Sequence, residues 1–444
     1  MKTGLACWVV AVLALFGAGC HGLRPSSAAA PVAAGVSVQQ GATLAEFQRR
    51  VVLARRQVPN IIAAAEAAAQ RAVEHPGCLI QVPYDIQWSF AEEIINRSGG
   101  LANALQPEKR PNEQTPYDVC LLGVRSWEVD GARMQLLAKD LRQRGWLVVM
   151  FASKAGAPDD LQVDYLIDNG APRGGQSLAP VNSAANVLNA WLWSCEYAAA
   201  LTRHGKAPGI LKSILARGGE AHNAPLQRPG GRQRLFDCST PVPPGRLALA
   251  YLAETEALVR ELWGDRVQAQ IGRAADAITA QLRTGGKVQV TTATHFLMGE
   301  IYLDNRTPWK PFTAVWVAST AFAQNVGKND LLVWFSFRGL SSPYEDYGAF
   351  MRQTGAALVT CYVADADPSN NAPNALAHID QSWRIPDAVV PVPFAPGFMA
   401  PVSGINQGLV YRMLDEAVAA RLADSNLAAR PAILERMAGD NKAR

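Results

Sequence analysis

DLLVWFSFRGLSSPYEDYGAFMRQTGAALVTCY, residues 330–362, is the stretch on which the fold turns. Residues 331–335 form an apolar run of strand length, too short for an independent helix. A small polar loop follows at 336–342, and Pro343 suits the first turn of a helix. That helix is expected to reach about Thr354, with Gly355 stopping it and residues 356–362 forming a second buried strand. Strand, crossover helix and strand in so short a span make a βαβ unit, and therefore a parallel sheet. Ligands of such sheets sit beyond the carboxyl ends of the strands, so the 336–342 loop is the first place to look for a site.

The unit occurs twice. Residues 118–153 read as aspartate, apolar strand, arginine and serine, helix, and apolar strand. Ala179-Pro180-Val181-Asn182-Ser183 and Ala400-Pro401-Val402-Ser403-Gly404 each lead into a long helix. Ala-rich amphipathic stretches precede both Gly77 with strand 78–82 and Gly285-Gly286 with strand 287–290. Four elements recurring in one order argue for an internally duplicated α/β domain.

At 444 residues there is room for two domains of ordinary size. Only 18% of residues are charged against 49% hydrophobic, which describes a globular chain. The net charge of +4 is spread thinly and forms no dense basic run, which argues against nucleic acid as a partner.

The first twenty residues have the shape of a secretory signal. Lys2 gives a positive start, residues 5–16 are apolar, and Gly17-Ala18-Gly19-Cys20 follows. The end resembles the lipobox of bacterial lipoproteins, with Gly17 where leucine is usual. The resemblance implies lipid attachment at Cys20, and export to the periplasm on a membrane anchor. Residues 21–41 then read as a flexible tether. Of the later cysteines, Cys78, Cys120 and Cys361 fall in expected strands and Cys195 on a helix, the habit of small core residues. With Cys238 they are odd in number, no spacing suits zinc, and no cofactor is implied.

In order, the expected domains are 42–205 and 246–424, joined by a linker at 206–245 and followed by a tail at 425–444. Pro59 is expected to divide the first helix into segments 44–57 and 61–74. Strands are expected at 78–82 and 163–167, with two more inside the 118–153 unit, and helices at 88–96 and 186–204. Residues 105–117 are expected to be loop. The second half repeats the plan, with a long loop at 365–385, a final strand at 388–392 and a closing helix at 406–422.

The layout resembles tandem sugar isomerase (SIS) phosphosugar-binding domains over about residues 41–424. One subgroup of that family carries Gly-x-Gly-His-Ser after its first strand, then Ala-Glu-Glu and Arg-Ala-Gly-Gly-Leu. Ala91-Glu92-Glu93 and Arg97-Ser98-Gly99-Gly100-Leu101 look like the second half of this pattern; Thr292-Ala293-Thr294-His295-Phe296 looks like the first. Glu300 and Arg306 stand in register with the later glutamate and arginine. Ser336-Phe337-Arg338-Gly339 resembles the family's Ser-x-Ser-Gly phosphate loop with its second serine replaced. The resemblance implies two flavodoxin-like parallel sheets flanked by helices, and a sugar phosphate or amino sugar as ligand.

The first repeat departs most. It has Pro83, Tyr84 and the anionic Asp85 where a phosphate would approach. The second keeps hydroxyls at Thr291, Thr292 and Thr294, and places His295 where a strand meets a helix N-terminus, which favours anions and lowers an imidazole's pKa. Arg338 and Arg125 follow their strands and can clamp a phosphate or pair with loop acids such as Glu345 and Glu128. Ser341 and Ser342 can meet a phosphate or cap a helix. Glu93 and Glu300 can act as bases in an enediol isomerisation, or form salt bridges to Arg97 and Arg306. Together with His295 they are the catalytic candidates. The expected binding set is Thr291, Thr292, Thr294, His295, Ser336, Arg338, Ser341 and Ser342.

Three classes of function fit: a sugar-binding or regulatory module, an aldose–ketose isomerase, and a periplasmic solute-binding or structural lipoprotein. The first is preferred because the catalytic set is incomplete and a fold alone does not fix function.

Overall fold

The computed structural model describes residues 41–423 apart from 85–87, 110, 174–178, 215, 229, 293, 304–312, 315–325, 340–353, 364–371, 373–374 and 384–386. Two five-stranded sheets dominate. The first contains β1 (Ile80–Gln81), β2 (Ala104–Leu105), β3 (Val119–Gly123), β4 (Leu147–Ala152) and β5 (Tyr165–Asp168), in the order β2-β1-β3-β4-β5. The second contains β8 (Val288–Thr292), β9 (Thr313–Ala314), β10 (Leu331–Arg338), β11 (Ala357–Val363) and β12 (Ala377–Asp380), in the order β9-β8-β10-β11-β12. Every pairing within them is parallel. Each sheet thus runs second-first-third-fourth-fifth, the flavodoxin-like order, whose switch point lies between the first and third strands. The strands are apolar runs because helices cover both faces.

Polar contacts repeat along with the strands. Gln81 Nε2 donates to Asp118 Oδ2 at 2.6 Å, and Gln289 Nε2 to Asp330 Oδ2 at 3.3 Å. Asn169, just after β5, donates to Asn186, which donates to the Val124 carbonyl after β3. At the matching places Gln407 Nε2 reaches both Gln381 Oε1 and the Ser336 carbonyl at 3.2 Å. Each pair satisfies a buried carbonyl at a strand's carboxyl end and so fixes the loop that departs there.

Three expectations need correction. Helix α1 (Ala42–Glu74) is continuous for 33 residues with Pro59 inside it. Proline removes a hydrogen bond and costs about 3 kcal/mol in a helix interior. The apolar stripe nevertheless runs on through Val51, Ala54, Val58, Ile61, Ala65, Ala68 and Ala72, all buried, and the burial outweighs the break. Second, β12 is a strand within an expected loop, β2 overlaps the start of another at Leu105, and β9 falls where no element is expected. Pairs of residues carry no periodicity, and β12 is a short edge with alternating burial. Third, residues 388–392 do not join the main sheet. β13 (Ala388–Pro391) pairs antiparallel with β14 (Phe398–Pro401), and Pro391 and Pro393 lack the N–H groups that a central strand needs.

The flanking helices are α2 (Trp88–Ile94), α3 (Trp127–Gln143), α4 (Ala179–Arg203), α6 (Arg246–Trp263), α7 (Asp265–Arg283), α8 (Phe296–Leu303) and α9 (Ser403–Ala423). The halves interlock. α6 packs on α1 and α4 of the first half, and its N-terminus is capped by Glu196 of α4 through Gly245 N at 2.9 Å and Ala248 N at 3.1 Å. In return Glu416 of α9 accepts from Thr43 N at 2.8 Å at the start of α1. The 206–245 segment is also more than a linker: it carries β6 (Lys206–Ala207), α5 (Gly219–Gln227) and β7 (Phe236–Asp237).

Cys78, Cys120, Cys195 and Cys361 are buried free thiols, and Cys238 is half-buried. No helix among the described residues is long and apolar enough to cross a membrane. Cys20, and the crossover helix expected after Pro343 up to Thr354, lie outside the described residues.

Candidate functional site

In each half a short helix follows the first strand, α2 after β1 and α8 after β8. These two helices pack against each other. They approach closely because Gly299 has no side chain: a Cβ there would lie 2.4 Å from Ser89 Cα and 2.5 Å from Ser89 N. Ser89 Oγ donates to Glu300 Oε1 across the contact at 2.6 Å. The packing brings side chains of the first half to the switch point of the second sheet.

Behind this contact lies a buried ionic network. Arg97 Nη2 donates to Asp387 Oδ2 at 3.0 Å and interacts with Ser403 Oγ at 2.9 Å, while Ser403 Oγ donates to Asp387 at 2.5 Å. Arg97 Nε is 3.3 Å from Glu93 Oε2, close enough for ion pairing but not aligned for a hydrogen bond. The guanidinium also sits 5.5 Å from the centre of the Phe337 ring. Side-chain exposures of 3%, 0% and 8% for Arg97, Glu93 and Asp387 leave no room for solvent screening.

Burial pushes the Glu93 carboxyl up to about 7, with Arg97 opposing and Asp387 adding to the rise. The folded state therefore holds a proton that the unfolded chain releases between about pH 4.5 and 7. Glu93's contribution to stability is full below that window and is lost as pH rises through it. The loss is on the order of 3 kcal/mol. Urea midpoints at pH 5 and pH 8 should show it, and Glu93→Gln should flatten the difference by a comparable amount. An unchanged pH dependence in the variant would show that Glu93 does not titrate in this window.

The expected binding loop after β8 stands at the edge of this network. Thr291 is fully buried, and its hydroxyl lacks a hydrogen-bond partner among the described residues. The Thr292 and Thr294 hydroxyls are 2.6 Å apart. His295 Nδ1 lies 3.4 Å from Glu92 Oε2, and its ring is 5.9 Å from that of Phe337. Burial and then Arg97 lower the imidazole's pKa, with Glu92 opposing. Since 38% of the side-chain surface stays open, solvent limits that effect.

β10 is hydrogen-bonded to β8 with Phe335 opposite Thr292, so the loops after these strands adjoin. Ser336 is buried with its carbonyl held by Gln407. Arg338 ends β10 opposite Val363, and its side chain lies outside the described residues, as do Ser341, Ser342, Glu345, Arg306 and Asp85. Glu93 and Glu300 are both committed, to Arg97 and Ser89 respectively. Glu92, passed over in the sequence, is the carboxylate beside His295. Asp387 and Ser403 carried no signal, because their role depends on the two halves meeting.

On the first sheet the loops after β3, β4 and β5 are closely packed. Arg125, Ser126, Ser153, Arg173 and Asn182 surround a space of about 10 Å³, room for about one water. Trp127 forms part of its wall, with Nε1 donating to the Ser153 carbonyl at 2.7 Å and its ring against Gly156. Ser126 Oγ is turned to Glu128 and Ser153 Oγ to the Ala171 carbonyl. Counting from Asp118 and Asp330, Gly339 stands in the second half where Trp127 stands in the first.

No protein-family model and no curated protein matches the chain. Solved structures are similar to it. One, from Salmonella typhimurium LT2 and designated a sugar binding protein, is 12% identical with a TM-score of 0.51, covering 85% of this chain and 98% of that one. Tagatose-6-phosphate ketose/aldose isomerase from Escherichia coli is 14% identical with a TM-score of 0.44, covering 88% and 96%. The likeness is one of architecture: this chain is an α/β protein with parallel sheets flanked by helices.

Proposed function

We propose that the protein binds a phosphorylated or amino sugar at the switch point of the second sheet, where residues of both halves converge. The observation that carries this reading is the contrast between the two sheets. Trp127 packs from the end of β3 onto the loop after β4 and leaves room there for about one water, while in the second half the matching residue is Gly339, in the loop that adjoins Thr291, Thr292, Thr294 and the partly open His295. Duplication of one domain followed by loss of its first pocket accounts for the shared strand order and the repeated Gln–Asp and amide contacts.

Binding is preferred to catalysis because Glu93 and Glu300 are both held by other side chains. The isomerase reading rests on His295 with Glu92 at 3.4 Å, an imidazole and carboxylate suited to proton transfer. Deuterium incorporation at C2 of a hexose 6-phosphate in heavy water separates the two readings.

Thermal-shift screening against sugar phosphates and amino sugars tests binding itself. A ligand at a hundred times its dissociation constant adds roughly 2.7 kcal/mol of stability. With the ligand so found, Arg338→Ala should weaken an anionic sugar about ten- to a hundredfold by calorimetry, and Arg125→Ala much less. Equal losses, or a loss at Arg125 alone, would place the site elsewhere.

Export and lipid anchoring at Cys20 belong to the same proposal and rest on the apolar run and small residues before it. Mass spectrometry of protein extracted from membranes should show a lipidated Cys20 as the first residue. Retention of Met1 with an unmodified Cys20 would end that part of the reading.

A further inference from the structure

A second cavity, of about 720 Å³, lies between the 206–245 segment and the β13–β14 hairpin. Its size falls within the range of small-ligand sites, about 300–1,000 Å³. Ser98 and Ala388 in its wall follow Arg97 and Asp387 in sequence, so it abuts the buried ionic network without including it. Nothing in the sugar-site reading uses this space.

The lining has two chemical parts. An apolar body comes from Ile210, Leu211, Leu226, Val392, Phe394 and Phe398. Phe398 is 49% exposed, a large ring left open where a cavity can use it. The charged part consists of Lys212, Arg234 and Asp237. Asp237 is already engaged, accepting from Lys206 Nζ at 2.7 Å. Arg234 lies 5.0 Å over the Phe236 ring, with no carboxylate contact to its guanidinium among the described residues. The charge left for a ligand is therefore positive and sits beside aromatic surface. His222 faces the cavity too, but its Nε2 is taken up by the Ile210 carbonyl at 3.0 Å.

We infer that this cavity binds a small amphipathic anion: an apolar or aromatic body seated among the phenylalanines, with one acidic group held by Arg234 and Lys212. Charge and shape both select for it. A neutral apolar molecule leaves the cations unused, and a compact polar anion leaves the apolar wall wet.

The test uses 8-anilinonaphthalene-1-sulfonate, which is an aromatic body carrying an anion, and N-phenyl-1-naphthylamine, its counterpart without the sulfonate. The full chain should bind the sulfonate at one saturable site, followed by fluorescence. Arg234→Gln should weaken the sulfonate about tenfold while leaving the neutral probe unchanged. Phe398→Ala should weaken both probes. Arg234 and Phe398 are exposed, so unfolding midpoints close to the parent protein's are expected and serve as the folding check. Absence of a saturable site, or sulfonate binding unchanged in both variants, would overturn the inference. Equal loss of both probes on Arg234→Gln would also overturn it, since the charge would then play no selective part.

Discussion

Replacing Arg97 with methionine should lower stability by about 3–5 kcal/mol. That corresponds to a fall of roughly 3–6 °C in the unfolding midpoint for a chain of this length. The reason is the environment of its partners rather than the strength of the pairs. Asp387 is 8% exposed and Glu93 not at all, so removing the guanidinium strands two carboxyl groups in a dry interior. Glu93 can escape by keeping its proton; Asp387 retains the Ser403 hydroxyl, which compensates only part of a buried charge. Adding Asp387→Asn and Glu93→Gln to Arg97→Met should recover a substantial share of the loss, because neutral amides cost less to bury than unpaired carboxylates. Urea denaturation of the single and triple variants measures this. A loss below about 1 kcal/mol for Arg97→Met would mean that water reaches the network, and the buried interface described here would be wrong. Arg97 comes from the first half while Asp387 and Ser403 come from the second, so the variant should also loosen their contact.

Gly299→Ala should destabilise the protein, although the same change in an exposed helix is favourable by about 1 kcal/mol. The added Cβ would meet the Cα and N atoms of Ser89 at 2.4 and 2.5 Å. These are backbone atoms of α2 and cannot rotate away, so the two helices must separate. Overpacking of this kind typically costs 1–3 kcal/mol, and a net loss of about 2 kcal/mol is expected. Gly299→Leu should be worse. Because the obstacle is backbone, Ser89→Gly should not rescue the alanine variant, whereas it would if the clash were with the serine side chain. Separation of α2 from α8 should also draw Glu92 away from His295, so the imidazole's titration, followed by NMR, should move. Stabilisation by Gly299→Ala would show that the helices do not touch at this point.

The βαβ pattern around residue 330, its echo at 118 and the repeated Ala-Pro-Val helix starts were enough to call for parallel α/β sheets. Runs of Val, Leu and Ile bounded by Asp and Gly have few other uses, and local spacing carries that signal. The same reasoning placed Thr291–His295 and 336–342 as neighbouring loops, because in this strand order the first and third strands adjoin. Local pattern also misled. Pro59 reads as a helix break, but the apolar stripe on either side of it is continuous, and packing against α4 and α6 holds the helix together. The edge strands β2, β9 and β12 were missed because their pairing lies in a neighbouring strand's backbone rather than in their own residues.

The pairing of Glu92 with His295, the Arg97–Asp387–Ser403 network and the packing of Trp127 onto the loop after β4 were decided by the tertiary structure alone. In sequence Arg97 and Asp387 are 290 residues apart, and nothing near Asp387 marks it as a partner. Trp127 reads from the chain as one more core aromatic at a helix start. Amphipathic period and turn chemistry act over a few residues and can be read directly, whereas burial, electrostatic pairing and the filling of a pocket depend on which surfaces the folded halves bring together.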